Sequence, residues 1–62
     1  MMRVVFFDKM RETYVAIEGV IQIESDYVRI DGRITAVWHL HRLEGGMLSY
    51  KQRYFSIHRI DI

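Results

Sequence analysis

From Thr13 to Glu24 the odd positions read Thr13, Val15, Ile17, Gly19, Ile21 and Ile23, while the even positions include Tyr14, Glu18, Gln22 and Glu24. Alternation with a period of two predicts a strand with one face toward a core. Gly19 lies inside the run, where a residue without Cβ lets the strand bend sharply, carry a bulge, or admit a neighbouring backbone. Before it, Met2–Phe7 is apolar on both parities, as expected of a strand covered on both faces. The polar stretch Asp8–Glu12 joins the two.

Beyond Glu24, Ser25-Asp26 reads as a hairpin connection, after which parity restarts with Val28 and Ile30 inward and Arg29 outward. Asp31-Gly32 is a stronger turn signal, because glycine accepts the positive φ of tight hairpin turns. A short third strand of about Tyr27–Asp31 results. The segment 34–43 fits two periods: Ile34, Val37, Trp38 and His41 make a helical stripe, whereas Ile34, Ala36, Trp38 and Leu40 alternate. Strand is the preferred reading, since Ile, Thr, Val, Trp and His are middling helix formers and no strong cap precedes them. A short helix at 34–43 is the alternative.

Gly45-Gly46 then makes a two-residue turn, and Leu48–Ile57 continues as strand with Tyr50, Gln52 and Tyr54 on one face. Phe55 and Ile57 have the opposite parity, which predicts a bulge. Ile57 and Ile60 stand three apart, which predicts a single 3₁₀ turn before a last short strand. The expectation is one small all-β domain over residues 1–62: an antiparallel meander or SH3-like barrel of about five strands, or α+β if 34–43 is helical.

Composition agrees with the strand reading. Ile and Val number fourteen against five for Leu and Ala, and eight aromatics add to the excess of residues that favour pleated surfaces. At 62 residues without cysteine, the chain has no covalent staple, and half its residues are hydrophobic. Self-association is the expected remedy for the apolar side chains a monomer would leave exposed. No stretch forms a signal peptide and no run reaches 18 apolar residues, so a cytoplasmic address and no membrane partner are expected.

The net charge of +1 conceals a gradient. Residues 1–28 carry three basic and five acidic groups, whereas residues 29–62 carry six basic and three acidic groups and all three histidines.

The order of a first strand, a long bent second strand, a short third, a hairpin, and a tight turn into a short final strand resembles the SH3-like and Sm-like small β-barrels. With its Phe55-Ser56-Ile57-x-x-Ile60 close it also looks like small accessory proteins of phages and prophages. The apolar excess, the doubly apolar first strand and the lack of catalytic motifs point to a non-enzymatic oligomer that binds a protein; the resemblance implies that this partner is a host factor and carries over no functional residue.

Candidate chemistry is sparse. His39 and His41, at i and i+2 on a strand, would project from one face within reach of one metal ion, but a site needs at least one further ligand, for which His58, Glu18 and Glu24 are the candidates. Ser25, Ser49 and Ser56 lie in no nucleophile-elbow context, so no enzyme and no cofactor are expected. Trp38, Arg42, Tyr50, Arg53 and Tyr54 are of the types enriched at protein-binding hot spots and could share one hairpin surface. Tyr50-Lys51-Gln52-Arg53-Tyr54 interleaves aromatics with bases, a mixture suited to stacking and phosphate contact, so nucleic acid is the alternative partner.

Overall fold

The computed structural model describes residues 1–62, which form five strands: β1 (Met2–Asp8), β2 (Thr13–Ile30), β3 (Arg33–Arg42), β4 (Met47–Lys51) and β5 (Phe55–Asp61). They form one antiparallel sheet in the order β4-β3-β2-β1-β5. The chain is all-β. Residues 34–42 lie in β3 and Leu43 in the turn after it, so the helical alternative is excluded, and no helix long and apolar enough to cross a membrane is present.

The long strand β2 is shared between two ladders. Its first half pairs with β1 through Asp8↔Thr13 to Met2↔Val20, and its second half pairs with β3 through Val20↔Arg42 to Ile30↔Arg33. Two bulges flank the hand-over. Glu18 and Gly19 together oppose Arg3, and Ile21 is the extra residue between Val20↔Arg42 and Gln22↔His41. Gly19 adopts φ 66° with no atom within 4 Å of where a Cβ would sit. Its role is therefore the bulge and not close approach of another backbone.

The bulges correct the alternation read from sequence. Inward positions run Val15, Ile17, Val20, Ile23, so Val20 is fully buried while Ile21 is 52% exposed. Ser25-Asp26 is not a turn. The Asp26 carboxylate accepts the Tyr27 backbone N–H at 2.8 Å, and the strand continues through both residues to Ile30. Parity consequently does not restart, and Val28 and Ile30 fall on the face opposite to Ile23. Asp31-Gly32 is the turn, with φ 50° and 76°.

Two further expectations change. Leu48–Ile57 is not one strand: Tyr54 N–H donates to the Lys51 carbonyl, closing a turn at Gln52–Tyr54 between β4 and β5. The three-residue spacing of Ile57 and Ile60 is a bulge and not a 3₁₀ turn. Val5 faces Arg59 and Phe6 faces Ile57, leaving His58 as the extra residue.

The core is the inner face of the curled sheet, centred on Val4, Phe6, Val20 and Leu40, with Ile17, Ile23, Trp38, Tyr50, Phe55 and Ile57 around it. Edge strands β4 and β5 are not hydrogen-bonded to each other, so the barrel stays open. They approach through side chains instead. The Tyr50 ring lies 5.0 Å from both Phe6 and Phe55, and Trp38 Nε1 donates to the Phe55 carbonyl at 3.0 Å.

Candidate functional site

Which backbone groups of β3 and β4 are bonded follows from two contacts. Arg42 N–H donates to the Gly46 carbonyl and Gln52 N–H to the Ala36 carbonyl, which sets the hydrogen-bonded pairs of the ladder at even-numbered residues. His39/Ser49, Val37/Lys51 and His41/Met47 are thus non-hydrogen-bonded pairs, whose side chains approach most closely. All six residues project from the outer face. Beyond Lys51 the turn carries Arg53 and Tyr54 to the same end of the molecule as the β2–β3 turn.

There, Ile30, Thr35, Arg33, Lys51, Arg53, Tyr54 and Asp31 line a groove of about 390 Å³. The Arg53 guanidinium lies over the Tyr54 ring, 5.8 Å from its centroid, within cation–π range. Tyr54 also borders a second depression of about 310 Å³ with Arg11, Met10, Asp8 and Phe55. The Lys9 N–H donates to the Tyr54 carbonyl at 2.8 Å, which ties the β1–β2 turn to this end. Asp8, nearly buried, spends Oδ1 on the N–H groups of Met10 and Arg11.

The nine Lys and Arg residues divide between two environments. Arg3, Arg42 and Arg59 pair with Asp61, Glu18 and Glu44 at the opposite end of the sheet. Lys9, Arg11, Arg29, Arg33, Lys51 and Arg53 form no ion pair, and all six flank Tyr54 or the turn beside it. Asp8, Glu12, Asp26 and Asp31 are the acids of that end, Asp26 sharing the ladder row of Val37 and Lys51, so it carries a surplus of two positive charges. The gradient read from sequence becomes spatial, and the first half of the chain contributes two of the six cations.

Of the residues singled out from sequence, Lys51, Arg53 and Tyr54 come together. Trp38 and Tyr50 do not join them, because both turn inward to the core. Arg42 lies at the far end, where Nη2 donates to Glu44 and Nε is buried without a partner. Arg29 and Arg33 were legible as bases, but their proximity to Lys51 depends on the register of β2, β3 and β4.

His39 and His41 do share the outer face, and each engages its own carboxylate: His39 Nε2 lies 3.2 Å from Asp26 and His41 Nε2 lies 2.6 Å from Glu24. Of the further ligands considered, Glu24 meets only His41, while His58 is tilted against the Tyr14 ring and Glu18 lies beside Arg3. No three His, Asp or Glu side chains converge closely enough to hold a metal ion. The contact that sequence reading missed is Ser49 Oγ to His39 Nδ1, at 2.7 Å. A hairpin centred on residue 44 would have put 39 opposite 49. No protein family, curated protein or solved structure matches the chain.

Proposed function

We propose that the protein is a nucleic-acid-binding module that uses the Tyr54 end of its sheet. The observation that carries this reading is the segregation of cations. Six basic side chains have no carboxylate partner, and of these Arg33, Lys51 and Arg53 line the groove that ends at Tyr54 and Arg11 the depression on its other side, while the three remaining ones are neutralised elsewhere. Unpaired Arg and Lys supply phosphate contacts, and Tyr54 supplies a stacking face. The test is fluorescence anisotropy of a labelled single-stranded oligonucleotide across a salt series. Affinity should fall with salt, each phosphate contact adding about −0.7 to the log–log slope, and Arg53→Ala or Arg33→Ala should each flatten that slope. Arg59→Ala, at the neutralised end, should not. Salt-independent binding, or binding no better than to an acidic protein control, removes the reading.

A second reading, self-association, rests on a separate observation. Tyr27 and Ile34 are 73% and 71% exposed on one face of the β2–β3 hairpin, where β2 has left β1 and its other edge is unpaired. Apolar surface beside an open strand edge favours pairing with a second copy. By the likeness to phage accessory proteins, any further partner would be a host molecule. Light scattering at micromolar concentration decides: a mass of 7.5 kDa eliminates the oligomer.

A further inference from the structure

The outer face carries a hydroxyl, an imidazole and a carboxylate in series, beside Lys51 at the edge of the basic groove. Asp26, an acceptor when ionised, is held by the Tyr27 N–H on Oδ1 and receives the His39 Nε2–H on Oδ2 at 3.2 Å. That bond fixes the tautomer, leaves His39 Nδ1 unprotonated, and makes the Ser49 hydroxyl the donor across 2.7 Å. The His39 side chain is only 11% exposed, so the ring is confined, whereas Ser49 is open to solvent. A hydroxyl bonded to an imidazole whose other nitrogen is oriented by a carboxylate has the arrangement that activates serine nucleophiles. The ladder phase adds a donor. As a non-hydrogen-bonded position on an edge strand, Ser49 directs its own backbone N–H away from β3, toward the open side of β4.

We propose that Ser49 is an activated nucleophile, with His39 as general base and Asp26 as positioning residue, that accepts an acyl or phosphonyl group from an electrophile at the open edge of β4. In the step, Ser49 Oγ bonds to the carbonyl carbon or phosphorus, and the leaving group departs with the electron pair of its broken bond. The hydroxyl proton passes to His39 Nδ1. Asp26 stabilises the resulting imidazolium, which then releases the proton to the leaving group or to water, and the Ser49 N–H faces the developing oxyanion.

A fluorophosphonate probe tests this, its P–F bond breaking to release fluoride. Intact mass and peptide mapping should find one adduct per folded chain, on Ser49 and not on Ser25 or Ser56. Ser49→Ala should abolish it, and His39→Gln should slow it by about 100-fold. Because His39 is largely buried, circular dichroism must show that variant folded, and the exposed Asp26 provides a second arm: Asp26→Asn should slow labelling and Asp26→Glu should restore much of it. No adduct on folded wild-type protein under excess probe overturns the proposal. So does labelling spread evenly over the three serines, or labelling unchanged in folded His39→Gln and Asp26→Asn.

Discussion

At the scale of single residues, the pairing of Arg3 with Asp61 has the clearest measurable consequence. The Arg3 guanidinium donates to Asp61 at 2.8 Å and holds its carboxyl below the usual carboxylate range, with Arg59 assisting. Asp61 in turn raises the Arg3 pKa above its ordinary value. A depressed carboxyl pKa contributes stability that is present above the unfolded value, near about 3.9, and is lost as pH falls below it through the folded value. The raised Arg3 value acts only at alkaline pH beyond the folded range. Urea midpoints should therefore drop between pH 5 and pH 3 in the wild type, and drop less in Arg3→Ala. An equal drop in both proteins would show that Asp61 draws nothing from Arg3. Such pairs are invisible in sequence, because fifty-eight residues separate the two groups and only the β1–β5 register brings them together.

At the scale of elements, the bulges explain both what could be read in advance and what could not. Gly19 signalled a bend, a bulge or a close backbone approach through its missing Cβ, and the register selects the bulge, with a φ of 66° where other residues are strained. Gly19→Ala meets open space, so its cost is backbone strain alone, about 1 kcal/mol or somewhat more in chemical denaturation. A neutral result would mean that the bend relocates. Ile21 and His58 gave no such notice. Each is an ordinary strand former that becomes the extra residue because a neighbouring strand fixes the register on both sides, and Ile57 to Ile60 then mimics a turn of 3₁₀ helix. Ser25-Asp26 misled for a different reason. Polar residues signal turns when they must reach water, and the arm beyond β1 already offers that exposure within a continuous strand. The Tyr/Arg/Lys interleaving was legible as chemistry, whereas the Asp26–His39–Ser49 series needed three strands in register.

At the scale of the whole molecule, the open edges are held together by few contacts. Trp38 Nε1 to the Phe55 carbonyl is a cross-sheet hydrogen bond, and Phe6, Tyr50 and Phe55 fill the space beneath it. Trp38→Phe keeps much of the apolar volume and leaves the Phe55 carbonyl without this donor, which should cost about 1 kcal/mol by urea denaturation. An unchanged midpoint would mean that water replaces the indole. Phe6→Ala should cost about 3–5 kcal/mol, enough to unfold much of a domain whose net stability is on the order of 3–9 kcal/mol.

The division of β2 also sets an order of events during folding. Hairpins β2–β3 and β3–β4 close over turns of a few residues, whereas the β1–β5 ladder joins residues more than forty positions apart and closes the largest loop in the chain. The transition state should then contain the central hairpins and lack β5. Ile57→Val should accelerate unfolding with little change in the refolding rate, while Leu40→Val should chiefly slow refolding. A stopped-flow chevron with the opposite partition would place the chain's ends, and not its middle, in the nucleus.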